Sequence, residues 1–223
     1  DPRRGPALVL GLRLTLAGGL NLPDIERLAA DVVTETQRHG WVREELGALR
    51  VQAQVSMKLR NLEQARAALD RALDLAETHD PERVAPCLRS VANVMKLAGQ
   101  LDEAESTLRR AIALAEGGPS AELAYCLLAL AQVLGARGRS AEAEGFLRRS
   151  IAEFESHGSR FGASIGQLEL AELIRAAGQL EEAQALYESA ASALQAIGSG
   201  SEIFARFNQG LTLRARSLDE RSL

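Results

Sequence analysis

Lysine, aromatic residues, cysteine and long apolar runs are all scarce in this chain of 223 residues. Lys58 and Lys96 are its lysines, so the 26 basic residues are nearly all arginine, a skew that reads as a high-GC bacterial codon bias. Aromatic residues make up 4% of the chain, and with β-branched residues also few, a sheet protein is disfavoured. No uninterrupted apolar run reaches the ~18 residues of a membrane helix. The net charge is -4 with a pI near 5.6, so no global basic field is present to hold nucleic acid. Charged residues at 25% and hydrophobic ones at 46% are too ordinary for a disordered chain. What is abundant is alanine and leucine, 38 and 36 residues, a third of the whole. These are the strongest helix formers, and an all-α protein is expected.

The stretch from Pro6 to Leu20 has the outline of a signal peptide, with Arg3 and Arg4 ahead of it. Arg13 breaks its apolar run and no clean small-x-small cleavage site follows, so it is read as part of the fold. The start at Asp1 and an ending inside a repeat lead us to expect a piece of a larger protein.

Four segments line up: Arg60–Ala65, Gly99–Ala104, Gly138–Ala143 and Gly178–Ala183. Their alanines lie 39, 39 and 40 residues apart. Each reads as a turn entering a helix, and in the last three a glycine at the start suits the close of the helix before it. In the first copy Asn61 and Gln64 have capping-box spacing. Amphipathic helices follow, with Leu62, Ala65, Leu69, Ala72 and Leu73 on one face, and Leu101, Ala104, Leu108, Ala111 and Ile112 on another. A second small residue precedes each turn: Ala53, Ala92, Ala131 and Ala171. In phase on a first helix, it lets the second cross close by. The same register extends to Gly11 and Gly210.

This pattern resembles the tetratricopeptide repeat (TPR). The family's small residue seven positions further into the second helix is matched by Ala72, Ala111, Ser150 and Ala190. The consensus Trp, Tyr and Pro are absent, and the period is longer than the usual ~34 residues. That period is similar to arrays in kinesin light chains and in bacterial signalling ATPases, kinases and transcription regulators. The resemblance implies a right-handed α-solenoid of antiparallel helix pairs. We expect one array over 1–223, with repeats at 6–40, 41–80, 81–118, 119–158 and 159–198, and a terminal helix at 201–216. The first repeat is irregular, with two extra residues in its turn and Pro23 in the first turn of its second helix.

Several constellations fail as chemistry. His39, His79 and His157 sit at equivalent places near the ends of second helices, where a cation complements the dipole. Stacking sets them too far apart to share a metal. Cys87 and Cys126 are also equivalent, separated by ~10 Å or more on helix-packing widths, beyond the ~7 Å reach of a disulfide. They read as small packing residues. Gly135-Ala136-Arg137-Gly138 lacks the rest of a phosphate loop. The acidic pairs Asp102-Glu103 and Glu181-Glu182 sit in first turns of helices. No catalytic set and no cofactor are expected.

In TPR arrays the first helix of each pair lines a concave face that meets ligands. Carried over, the residues after the small marks form a row: Gln54, Asn93, Gln132 and Glu172. Such amides can pair with the N–H and C=O of an extended peptide. Arg50 and Arg89 lie one turn earlier, and Lys58, Lys96 and Arg175 later. Tyr125 and Phe204 could reach the same surface. Arg89 with Asn93 is similar to part of the carboxylate-gripping pair of chaperone-binding TPR modules. An acidic stretch of peptide would suit the first half. The expected function is a protein–protein interaction scaffold that binds a peptide or partner domain, cytoplasmic and without a reaction of its own. The alternative is a ligand-sensing or autoregulatory arm of a signalling ATPase, kinase or transcription regulator, which a deep apolar pocket at Tyr125, Leu128 and Leu168 would favour. Neither nucleic acid nor membrane is an expected partner. Exposed apolar ends of the array leave open a homodimer.

Overall fold

A computed structural model describes residues 4–17, 21–118, 121–201, 205, 206, 208–210 and 212. Ten α-helices are defined within them: α1 Arg4–Ala17, α2 Leu22–His39, α3 Val42–Lys58, α4 Leu62–His79, α5 Val84–Leu97, α6 Leu101–Ala115, α7 Glu122–Ala136, α8 Ser140–Ser156, α9 Arg160–Ala176 and α10 Leu180–Ala196. A 3-10 turn, Pro81–Arg83, leads into α5. No strand occurs among the described residues. Helices with odd numbers are the first, or A, helix of each pair, and helices with even numbers are the B helix.

The chain divides into two compact units, Asp1–Leu114 and Ala115–Leu223. In the first unit α1 packs on α2 and α3, α2 on α3, α3 on α4, and α4 on α5, while the A helices α3 and α5 also touch. In the second unit α7 packs on α8, α8 on α9 and α9 on α10, and the A helices α7 and α9 touch. Within each unit these helices meet their sequence neighbours, α1 to α5 in the first and α7 to α10 in the second, as in a stack of helix hairpins.

The repeated small residues explain why the pairs close. Ala53, Ala92 and Ala171 are fully buried and Ala131 nearly so. Ala65, Ala104, Ala143 and Ala183 on the B helices are at most 1% exposed. Ala72, Ala111, Ser150 and Ala190 are fully buried. A larger side chain at any of these would push two helix axes apart, because interiors are packed to crystal density. Around them leucines fill the core: Leu46, Leu69, Leu108, Leu127, Leu130, Leu134 and Leu170 are at most 1% exposed, each contributing about 1.5–3 kcal/mol by burial. Cys87 and Cys126 are buried free thiols in the same layers. Gly11 and Gly210 share the register in sequence, but a Cβ added at either would meet nothing within 4 Å among the described residues. The close approaches lie elsewhere. A Cβ on Gly162 would stand 2.4 Å from the Phe154 ring, and one on Gly166 would stand 2.8 Å from Ile151, which is how α9 fits against α8.

The A-to-B turns share one geometry. Gly99, Gly138 and Gly178 have φ of 80, 75 and 82°. The amide of each following residue, Gln100, Arg139 and Gln179, donates to a carbonyl five residues back, at 2.9, 2.9 and 3.0 Å. This is the Schellman close of a helix. In the first copy Arg60 takes the glycine's place and its φ of 63°, and Asn61 N–H donates to Ser56 O at 2.8 Å. Asn61 then caps α4 by accepting from Gln64 N–H at 3.2 Å. The Gln64 side-chain oxygen accepts from the Asn61 amide at 2.7 Å, so the reciprocal half of the box runs between side chains.

Pro23 stands in the first turn of α2, whose Ile25, Ala29 and Val32 are buried. Residues 18–20 of the turn before it lie outside the described residues. Of the expected terminal helix, 205, 206, 208–210 and 212 are helical, and its remaining positions, Phe204 included, lie outside the described residues.

Candidate interaction site on the A helices

In the first unit the candidate residues come from α3 and α5. Gln54 and Asn93 follow the buried Ala53 and Ala92, and the 100° advance of a helix carries both outward, where they are exposed. Asn93 Nδ2 reaches across to Met57 Sδ on α3 at 3.7 Å, bridging the neighbouring A helices. Lys58 is exposed, and Arg50, Arg89 and Lys96 are half-buried. From Arg50 to Lys58 and throughout α5 there are four cations and no carboxylate. Buried Glu45 lies earlier on α3 and is held by Arg71 of α4, 2.8 Å away. This stretch is therefore positive, with amides between its cations.

The second unit differs. Gln132 Nε2 on α7 donates to Glu169 Oε1 on α9 at 2.8 Å, a charge-assisted bond that ties the two A helices together. Glu172, in register with the amides, accepts from Arg175 Nη2 at 2.7 Å one turn further along α9. The Glu172 carboxylate in turn raises the pKa of the Arg175 guanidinium, with a smaller contribution from Tyr187. Tyr187 of α10 is fully buried beside this pair. Its burial, and next the Glu172 carboxylate, drive the phenol far above its ordinary value, while Arg175 opposes them. Opposite charges here are satisfied within the unit. Tyr125 is 36% exposed and packs edge-on against buried Phe154, with ring centroids 4.7 Å apart. Leu128 and Leu168 are buried core residues at 9 and 5% exposure. A cleft of about 420 Å³ does open in this unit, but its walls are other residues of α8, α9, α10 and the turn between α8 and α9.

The histidines are at helix ends. His39 and His79 are the last residues of α2 and α4, and His157 follows α8. His39 stacks on Trp41 with centroids 4.6 Å apart and lies 3.3 Å from Glu35. His157 Nδ1 is 2.8 Å from the Glu153 carbonyl.

Sequence comparison decides the family. The tetratricopeptide repeat pattern matches residues 44–117 and 97–156, together half of the chain. The chain belongs to the tetratricopeptide repeat family. No curated protein sequence gives a significant match. Several solved structures resemble this TPR chain. BtubC (BKLC) from P. vanneervenii superimposes with a TM-score of 0.76 at 18% identity, over 88% of this chain and 84% of that one. Aspartyl phosphate phosphatase F from Bacillus subtilis gives 0.77 at 13% identity, over 97% of this chain and 55% of that one. A Rap protein complexed with Competence and Sporulation Factor gives 0.62 at 15% identity, over 87% and 60%. At these identities the likeness is one of fold.

Sequence reasoning missed the pairing of Gln132 with Glu169. They are 37 residues apart, and only the stacking of α7 on α9 brings them together. It also missed Tyr187, which stands four residues after Ala183 in the B helix and reads as core.

Proposed function

We propose that this TPR chain is a protein–protein interaction module that binds a peptide or partner segment along the A helices of its first unit. The observation that carries the reading is that exposed Gln54 and Asn93 share α3 and α5 with Arg50, Lys58, Arg89 and Lys96, in stretches, 50–58 and 84–97, whose sequence contains no carboxylate. Amides offer both a donor and an acceptor to a peptide backbone. The cations favour an acidic ligand and speed its encounter. Gln132, Glu172, Arg175 and Tyr125 of the second unit we leave out of the proposed site, because Gln132, Glu172 and Arg175 have partners within their own unit and Tyr125 packs on Phe154. The Rap protein solved with Competence and Sporulation Factor lends the reading support from a chain of the same fold. We further read the chain as a non-catalytic part of a cytoplasmic bacterial signalling or regulatory protein.

Selection from a random peptide library tests this. Enriched peptides should be acidic and should weaken as salt rises, since exposed charges are screened beyond ~10 Å at 0.1 M. The Arg89→Glu, Asn93→Ala double variant should bind them at least about tenfold more weakly, the scale of a hot-spot loss. Equal binding by parent and variant would remove α3 and α5 from the site.

A further inference from the structure

Arginine and glutamate recur on the B-helix side in a fixed relation. Arg71, Arg110 and Arg149 are spaced by 39 residues, and so are Glu77, Glu116 and Glu155. Two of these sets form rungs. Arg110 Nη2 donates to Glu77 Oε1 at 2.7 Å, and Arg149 Nη2 donates to Glu116 Oε1 at 3.2 Å. In each rung a glutamate from the end of one repeat meets an arginine from the B helix of the next.

At the next step the arginine is missing. The residue that corresponds to Arg149, 40 positions on, is Ser189 of α10. Glu155 is exposed, and its carboxylate has no ion pair or hydrogen bond among the described residues. Two more positions shrink at the same step, with Ala193 in place of Glu153 and Ala196 in place of Ser156. The cleft of about 420 Å³ opens at this place, with Glu155, Ser189, Ala193, Ala196, Arg160 and Gln167 on its walls. Arg160 is exposed and forms no ion pair with Glu155. The acid of a rung is thus present without its base, and the space beside it is open.

We propose that this cleft binds a guanidinium group from outside the chain, in the place that the missing arginine would hold. The planar fork of a guanidinium matches a carboxylate with two parallel N–H···O bonds. The remaining N–H groups have the Ser189 hydroxyl and the Gln167 amide oxygen as acceptors. The cleft is within the size range of small-molecule sites, so it takes the attached stem as well as the head group. None of the A-helix candidates takes part, and the proposal stands or falls apart from the peptide reading.

The test is an NMR titration of the full chain with N-acetyl-arginine amide, and with N-acetyl-citrulline amide as its uncharged isostere. The arginine compound should give saturable shifts at the amides of Glu155, Ser189 and Ala193. The citrulline compound should bind about tenfold more weakly, the difference between a charged and a neutral hydrogen-bonding partner. Glu155→Gln should weaken binding of the arginine compound by a similar factor. Ser189→Arg should rebuild the rung, abolish binding and raise the Tm by about 1–3 °C. Tighter binding of Ala-Ala-Arg-Ala-Ala than of the amide assigns the guanidinium to a protein partner, and equal binding assigns it to a small solute. Equal shifts with citrulline, no saturable shift, or undiminished binding in both variants would overturn the proposal.

Discussion

Arg60 is the one non-glycine residue with positive φ among the described residues, and replacing it with glycine should stabilise the first unit. The left-handed region costs an L-residue roughly 1–2 kcal/mol. Gly99, Gly138 and Gly178 avoid that strain at the equivalent turns. Arg60 is exposed, and its side chain has no partner among the described residues, so Arg60→Gly removes strain without removing a contact. Glycine also widens the unfolded ensemble, a loss of about 0.4–1 kcal/mol. The balance is a gain of about 0.5–1 kcal/mol. For a chain of this length that is about 1–4 °C in Tm. Two compact units need not melt together, so hydrogen exchange in α3 and α4 should accompany the melt and slow by about two- to fivefold. The reciprocal Gly138→Ala should destabilise, because it imports the same strain. Unchanged or faster exchange in Arg60→Gly, with native chemical shifts elsewhere, would refute strain at this turn.

Gly162→Ala should destabilise the second unit by about 1–3 kcal/mol, because its Cβ would stand 2.4 Å from a Phe154 ring that is itself fully buried. A urea midpoint that does not move would show that α9 can shift at no expense. Tyr187 should keep its proton well above the usual phenol range while the chain is folded. Below about pH 10 both states hold that proton and stability is unaffected. Above it the unfolded phenol ionises first, the unfolded state binds fewer protons, and stability falls as pH rises. The loss should be smaller in Tyr187→Phe. Folded-state titration of Tyr187 near pH 10, seen as the absorbance difference between parent and variant, would contradict the buried placement.

The helix pairs were legible because a repeat states each packing rule several times. Ala53, Ala92, Ala131 and Ala171 could be read as contact points from spacing alone, and all four are buried. Asn61 with Gln64 could be read as a cap because capping is local, and the bond is there. Gly11 and Gly210 matched the spacing, yet a Cβ at either would meet nothing within 4 Å among the described residues. Spacing reports phase along a helix, and whether a neighbour arrives at that phase is a tertiary fact. Gly162 and Gly166 carried no sequence mark that separates them from turn glycines, since their role depends on Phe154 and Ile151 of the preceding helix. Gln54, Asn93, Gln132 and Glu172 were legible as equivalent positions of successive repeats. The bond from Gln132 to Glu169 was not legible, because the packing of α9 on α7 sets the two together.

In a repeat protein the shared residues build the stack, so information about a ligand lies where copies differ. Alanine at the crossing points is the same in every complete copy because each crossing has the same geometry. The residue that follows it is free of that constraint, and it varies from Gln54 to Glu172. The same logic separates Ser189 from Arg110 and Arg149. An exposed ion pair contributes at most about 1 kcal/mol, so losing one arginine is tolerable for the fold. Losing it together with the bulk at 193 and 196, while keeping Glu155, leaves a charged concavity that packing does not require. On α3 and α5 the corresponding departure is a sequence of four cations without a carboxylate over 50–58 and 84–97. A face built only to stay soluble would mix both signs, as α9 does with Glu169, Glu172 and Arg175. Single-sign charge beside exposed amides is the departure on which the proposed peptide site rests, and the Arg89→Glu, Asn93→Ala variant tests it.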